Sequence, residues 1–506
     1  MTEIAQPLTL SRGIRTTAAR APNKVAIEAA DRRITYKSLV ANMDRVGNAC
    51  AKVYGLTAGD RIALISPNCP EYIEIVAGLS DRGFVTATLN PHLTPAELTP
   101  ILEDCQPRLA LLHPSCTGLR SSIEALGIPL LVLGKPYQSL LSKASARSPQ
   151  HLVAGTDTFA ISYTSGTTGL PKGVQLPHRS RAIMALACAT EYGCFGFNDR
   201  FLSLAPLYHG AGFAFAVSII SFGGTCVLFD KNDPTLIAQR LGVGDISGVF
   251  MVPTHFKRLY DIPENTFADY IRGHKLKTII SNAAALAQSY KEETVARFGS
   301  GLLHETYGST EAGIVTNIRP DYLLDKPGSV GTPFIHMDVE IRREDGSLCA
   351  PGEVGELYAR GPFTFNGYLN RPDATAETLK DGWVTVQDLA SKDGDGFITI
   401  SGRMKDMVVS GGVNIYPSEV EAVLAKQPGI TEVAVVGLPD AEWGERLHAF
   451  VVKATPDPIN VESLISACRS SLSPHKIPRG ITSIDALPRN ASGKILKRVL
   501  REQGVS

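Results

Sequence analysis

Several large protein classes are excluded by what this sequence lacks. Its 506 residues contain no apolar run near the ~20 residues needed to span a bilayer. Lys plus Arg and Asp plus Glu number 50 each, so the formal net charge is zero. A neutral chain has no electrostatic footprint for nucleic acid or for an anionic membrane surface. Nine cysteines are scattered from Cys50 to Cys468 without a C-x-x-C pair. That argues against a zinc site or disulfide framework and for reduced, mostly buried thiols. Residues 1–7 show no basic stretch ahead of an apolar one, so a cytoplasmic protein is expected. Internal repeats and low-complexity tracts are missing too. Gly242, Gly244 and Gly248 give G-x-G-x-x-x-G, which fails the dinucleotide spacing. Asp393-Gly394-Asp395-Gly396 lacks the ligand pattern of a calcium loop and reads as a hairpin turn. No G-x-S-x-G elbow is present, so a serine hydrolase has little support.

What is present is an ordinary globular composition, 44% hydrophobic and 20% charged. The length suggests about three domains or subdomains. Helical and strand patterns alternate early: helices near 36–53 and 68–79, strands near 61–66, 84–89, 109–112 and 129–133. Thr94-Pro95-Ala96-Glu97 is a helix-start signal. The alternation continues with a helix over 180–192, a strand over 201–205, a strand over 249–252, a helix near 255–260 and a strand over 277–281. This predicts α/β layers with a mainly parallel sheet. From about residue 330, short strands with Gly and Asp turns dominate, which predicts a β-rich subdomain. Beyond the polar break at 402–406, a helix over 417–426, strands over 433–436 and 448–452 and a helix over 461–472 make a small α+β unit.

The densest chemical signal is Tyr163-Thr164-Ser165-Gly166-Thr167-Thr168-Gly169-Leu170-Pro171-Lys172-Gly173-Val174. Glycines let backbone N–H groups turn inward, hydroxyls add donors, and Lys172 neutralises anionic oxygen. Such a loop is built for polyphosphate, although Pro171 stands where a Walker A loop needs its second glycine. The bland alternative is a surface linker, but linkers seldom follow a strand directly or end in Pro-Lys-Gly. A second cluster is Tyr307-Gly308-Ser309-Thr310-Glu311-Ala312-Gly313. Taken alone it reads as a capped helix N-terminus; beside a phosphate loop, Glu311 reads as a hard oxygen ligand for nucleotide-borne Mg²⁺. His209 is either a structural histidine or a polar group at a pocket mouth. Asp388 and Arg403 suit ribose or phosphate oxygens, or equally a turn and a surface ion pair. Lys494, in Ser492-Gly493-Lys494, is either solvated tail charge or one lysine presented on a tight turn.

In this order the motifs resemble the adenylate-forming superfamily of acyl-CoA synthetases, nonribosomal peptide adenylation domains and firefly-type luciferases. The resemblance covers nearly the whole chain, from Thr35-Tyr36 and Gly59-Asp60-Arg61 to Lys494, and is closest to acyl-CoA synthetases. It implies a large N-terminal domain, 1–402, of layered α/β subdomains plus a β-rich subdomain. A small mobile α+β C-terminal domain, 403–506, follows a hinge at Lys405. It implies that Thr164, Ser165, Gly166, Thr167, Thr168, Gly169 and Lys172 bind ATP phosphates and that Glu311 holds Mg²⁺. Thr310 contacts the α-phosphate, Tyr307 stacks on adenine beside Gly308, and Asn282, Ala283 and Ala284 line the base. Asp388 and Arg403 hold ribose, Lys494 is the catalytic lysine and His209 gates the acyl pocket. Three stretches depart from the family pattern: Val386-Gln387 replaces Thr-Gly, residues 281–285 replace Gly-Gly-Ala-Pro, and Glu305 replaces Asn.

The implied reaction is ligation of a small carboxylic acid to coenzyme A through an acyl-AMP. In the thiol step Lys494 gives way to residues 410–414, including Gly411 and Gly412. Loading of a separate carrier protein and a silent ATP-binding relative are the alternatives, and a monomer or homodimer is expected. The expected acyl-pocket positions are His209, Gly212, Phe213, Val252, Thr254, Gly308, Gly313 and Ile314. None is Arg or Lys, which disfavours a second carboxylate on the substrate and suits an aryl or aliphatic monoacid.

Overall fold

A computed structural model describes residues 7–30, 32–149, 153–164, 171–410, 413–454, 459–489 and 495–504. The chain divides into two compact units. The first comprises Met1–Pro327, Pro333–Asp338 and Ala359–Val384; the second comprises Gly328–Thr332, Val339–Tyr358 and Thr385–Ser506.

The first unit is α/β. Its six-stranded sheet runs in the order Leu130–Val132, Leu109–Leu112, Arg61–Ile65, Val85–Leu89, Thr158–Thr164, Lys172–Pro177. All neighbours are parallel except the last pair. These central strands are apolar end to end because helices cover the sheet, as parallel sheets require. The helix Pro95–Cys105 starts where the sequence predicts. The Thr94 hydroxyl accepts from the Glu97 N–H at 3.3 Å, and the Glu97 carboxylate accepts from the Thr94 N–H at 2.8 Å. A second sheet of this unit orders Gly313–Ile318, Leu303–Ser309, Thr278–Ser281, Gly248–Met251, Arg200–Ser203, Thr225–Leu228, Val25–Ala29 and Arg32–Thr35. Its interior pairs are parallel and both of its ends are antiparallel hairpins. The rings of Phe201 and Phe250 on this sheet pack against Phe215 of the helix Gly210–Ser221, with Phe195 stacked on Phe201. This helix has no counterpart in the sequence reading: it is buried on all sides, so no 3.6-residue polar–apolar period marks it.

The second unit contains the hairpin Asp388–Lys392 and Ile398–Arg403. Its turn is the predicted one, with the Asp393 N–H donating to the Phe397 carbonyl at 2.9 Å. Beyond it lies the five-stranded sheet Val413–Ile415, Val408–Ser410, Gly444–Lys453, Ile430–Asp440, with Gly480–Ile484 parallel to Gly444–Lys453. Alternation in Ile430–Asp440 covers both faces. Val435 joins Val420, Leu424 and Leu464, whereas Ala434 and Val436 join Phe450 and Leu500. All nine cysteines are free and eight are buried. Burial pushes the thiols of Cys50, Cys188 and Cys226 up to about 12, which leaves them inert. Among the described residues no helix is long and apolar enough to cross a membrane.

Buried histidines make stability pH-dependent. The His178 Nδ1 accepts from the Leu10 N–H at 3.1 Å, and burial pushes its pKa down to about 4. His255 and His304 are likewise pushed to about 4 by burial. In the unfolded chain each takes up a proton near pH 6.5, while the folded protein resists protonation until about pH 4. Unfolding therefore binds protons across this window, and stability falls as pH drops through it. Glu74 opposes this: burial raises it to about 7, so its contribution is present below about 4.5 and fades as pH rises through 7. Thermal melts of Glu74→Gln should show Tm falling from pH 6.5 to 4, each histidine contributing about 1–3 kcal/mol. A flat profile would contradict the burial of these rings.

Candidate active site

The strands that enter and leave the glycine–threonine loop are antiparallel partners, with Thr164 opposite Lys172. The loop is thus the connection of a hairpin rather than a strand-to-helix turn; residues Ser165, Gly166, Thr167, Thr168 and Gly169 lie outside the described residues. Lys172 is fixed by main-chain bonding on the far side of its strand. The Leu369 N–H donates to the Gly173 carbonyl at 2.8 Å, and the Gln175 N–H donates to the Gly367 carbonyl at 3.0 Å. A Cβ at Gly173 would lie 2.9 Å from the Ile161 side chain and 3.1 Å from the Tyr163 ring, so glycine is required for this approach. The Tyr163 hydroxyl donates to Asp104 at 2.8 Å, and Asp104 also faces Arg371 at 3.4 Å.

Glu311 sits in the turn of the hairpin Leu303–Ser309 and Gly313–Ile318. The capped-helix alternative is therefore not what forms: the Ser309 hydroxyl accepts from the Ala312 N–H at 3.0 Å, but the chain turns back as a strand. A Cβ at Gly308 would lie 2.0 Å from the Gly313 carbonyl, and Gly313 has φ +77°, so both glycines serve this tight return. The Tyr368 hydroxyl donates to the Glu311 Oε1 at 2.8 Å, and the Lys172 ammonium lies 5.0 Å from the centroid of the same ring. Tyr368 thus stands between the loop lysine and the hairpin carboxylate. Sequence reasoning missed it, because its only local signal is an aromatic in an irregular stretch. Glu311 is buried, and the Tyr368 phenol orients its carboxylate. One oriented carboxylate fits a Mg²⁺ ion held otherwise by phosphate oxygens and water. Among the described residues there is no cluster of three or more His, Cys, Asp or Glu that would hold a metal alone.

The expected base-lining stretch leaves the strand Thr278–Ser281 as an open loop. The Asn282 side chain donates to the Thr306 hydroxyl at 2.6 Å, and Ala283 and Ala284 are exposed. Ala283 has φ +78°, a backbone that favours the glycine usual in the family. Glu305 pairs with Lys291 at 2.5 Å, both almost fully buried, and accepts from the Leu286 N–H at 2.8 Å. This departure from the family pattern ties the end of the loop to the strand that carries Tyr307, whose ring is half-buried. Thr310 lies in the adjoining turn.

His209 precedes the helix Gly210–Ser221. Its Nε2 is buried without a partner among the described residues, and burial pushes its pKa down to about 4, so the ring is neutral at physiological pH. Of the expected pocket positions, Phe213 packs on Phe159 and Tyr72, Ile314 is buried, and Val252 and Thr254 are half-buried. The hydrogen of Gly212 faces the Pro206 carbonyl, where a Cβ would come within 2.3 Å. One cation escaped the sequence reading. Arg181, on the helix that follows the strand Lys172–Pro177, is buried with its Nε and Nη1 unpartnered among the described residues.

In the second unit, Asp388 and Arg403 are cross-strand partners, with Arg403 Nε 3.1 Å from the Asp388 carboxylate. The replaced Thr-Gly dipeptide puts Gln387 at φ +61°, where its N–H donates to the Thr385 hydroxyl at 3.1 Å. Lys405 is in the single turn Met404–Asp406; burial first, then the Arg403 charge, lower its pKa. Asp406 pairs with Arg501 at 2.8 Å. Gly411, Gly412 and Lys494 lie outside the described residues.

A family model described as AMP-binding enzyme matches residues 14–369. The chain belongs to the AMP-binding enzyme family. The C-terminal domain model of the same family matches residues 419–494. This AMP-binding enzyme is 33% identical over 489 residues to a feruloyl-CoA synthase of an Amycolatopsis species, covering 95% of this chain and 96% of that one. It is 31% identical to a long-chain-fatty-acid–CoA ligase of Bacillus subtilis, covering 98% and 94%. Its fold superposes on o-succinylbenzoate CoA synthetase of Bacillus subtilis in complex with an acyl-adenylate. That match has a TM-score of 0.86 and 27% identity, and covers 97% of this chain and 98% of that one.

Proposed function

We propose that the protein is an ATP-dependent, AMP-forming acid–thiol ligase acting on a small carboxylic acid and coenzyme A. The observation that carries this is the grouping of Lys172, Tyr368 and Glu311, with Glu311 held in a fixed rotamer by a phenol. A carboxylate and the ATP α-phosphate repel, so their approach needs fixed positive charge and N–H donors. Lys172 and the loop 164–169 take the phosphate oxygens, and Thr310 bonds the α-phosphate. Tyr307, Gly308, Asn282, Ala283 and Ala284 receive adenine, and Asp388 and Arg403 receive ribose. Bound Mg²⁺, held by Glu311, supplies charge neutralisation for the phosphates. A carboxylate oxygen bonds to the α-phosphorus and pyrophosphate leaves, with Lys494 on the developing charge. The CoA sulfur then bonds to the acyl carbon and AMP leaves. Lys494 and the approaching thiol cannot occupy one place at once. We infer that residues 403–506 turn at Lys405 and bring Gly411 and Gly412 into use. The protein acts in the cytoplasm as a monomer or homodimer.

Incubating the purified protein with ATP, Mg²⁺ and a panel of acids tests the acceptor. Acid-dependent pyrophosphate release followed by thioester formation on free CoA supports this reading; transfer only to a carrier protein contradicts it. The role of Tyr368 has its own test. Tyr368→Phe should raise the Mg²⁺ concentration for half-maximal rate about tenfold with little change in Tm, because it loosens the ligand rather than the core. An unchanged Mg²⁺ requirement would show that the phenol does not serve Glu311.

A further inference from the structure

Arg181, Met184 and Cys188 share one face of the helix His178–Tyr192, and all three are buried. Met184 reaches Gly313, where a Cβ would lie 2.8 Å from its methyl group. Arg181 reaches Gly210, where a Cβ would lie 3.4 Å from Nη2 and meet nothing else within 4 Å. The cation thus lies at the first turn of the helix Gly210–Ser221, the turn that follows His209 and carries Gly212 and Phe213. That helix has no side-chain cap at its N-terminus and no acidic residue in its first turn. Its free N–H groups and dipole add to the positive potential there. The His209 Nε2 is buried and unpartnered at the same place.

No carboxylate among the described residues answers Arg181: it forms no ion pair, and Cys188 is the one group that raises its pKa. Burial lowers the pKa to about 10, so the side chain remains charged at neutral pH. A buried, unpaired guanidinium is expensive to keep. A ligand that arrives with the complementary charge would remove that cost, and a planar carboxylate matches the guanidinium fork. The reacting carboxylate is a poor candidate. It loses its charge on forming the mixed anhydride, so a strong bond to Arg181 would stabilise the ground state above the transition state.

We propose that Arg181, with the first turn of the helix Gly210–Ser221, binds a second carboxylate on the acid that is adenylated. This rests on the ligase reading above, and it reverses the expectation of a monoacid drawn from pocket positions that carry no Arg or Lys.

The test offers matched pairs of short aliphatic and aromatic acids, each as the dicarboxylic acid and as its half-methyl ester, and measures pyrophosphate release. For the best pair, kcat/KM should favour the diacid by at least about tenfold. Arg181→Met should bring that ratio close to one, mainly through KM for the diacid, and Arg181→Lys should keep part of it. Arg181→Met should also raise Tm, because it removes an unpaired buried charge. A ratio of one or below in the unsubstituted enzyme for every pair would overturn the proposal. So would an unchanged ratio in Arg181→Met, or a lowered Tm with equal loss on every acid, which would make Arg181 a structural cation. Turnover of half-esters without diacid preference sinks this inference alone, whereas no release with any acid sinks the ligase reading with it.

Discussion

Lys494→Ala should lower acyl-adenylate formation by about 10²–10³-fold while leaving thioester formation from supplied acyl-AMP nearly unchanged. The reason is when the charge is needed. Negative charge builds on the α-phosphate and pyrophosphate only in the first half-reaction, and a single lysine aimed there contributes only there. The substitution should not unfold the protein. The neighbouring helix Lys497–Gly504 is anchored by Leu500 in the core and by the ion pairs of Lys497 with Glu421 and Arg501 with Asp406, both at 2.8 Å. Single-turnover assays of each half-reaction separate the two rates. Equal losses in both would refute a role confined to adenylation.

Lys405→Pro is expected to do the reverse. Lys405 occupies the turn Met404–Asp406, where the Met407 N–H bonds the Arg403 carbonyl at 3.1 Å and the Met404 carbonyl at 3.2 Å. Proline would fix φ at 405 and drive Met404 out of helical backbone. If backbone rotation here is what exchanges Lys494 for the loop at 410–414, adenylation should continue while transfer to CoA slows about 10–100-fold. A variant that transfers to CoA at the normal rate would remove Lys405 from the mechanism.

The parts of this protein legible in its sequence are those whose causes are local. The Thr94–Glu97 capping box, the Asp393–Gly396 turn and the apolar strands of the parallel sheets each carry their own signal within a few residues. Adjacent Ser, Thr and Gly residues likewise mark the proposed phosphate loop from local sequence alone. Contacts between distant segments were not legible. Tyr368 reaches Glu311 only because residues 366–369 pair beside the strand Lys172–Pro177, a pairing between segments nearly two hundred residues apart in sequence. Arg181 falls within the predicted helix over 180–192 with no local signal of its own, and only burial against the helix Gly210–Ser221 sets it apart. The departures from the family pattern show the same limit. Gln387 and Ala283 keep left-handed backbone without glycine, and Glu305 finds Lys291 from another element.

Acid-dependent exchange of labelled pyrophosphate into ATP tests the central claim most directly, because it reports the reversible first step without requiring CoA or domain rearrangement. The account predicts exchange that needs both Mg²⁺ and an acid, and that falls about 10²–10³-fold in Lys494→Ala. Exchange without any acid, or none with any acid offered, would contradict it.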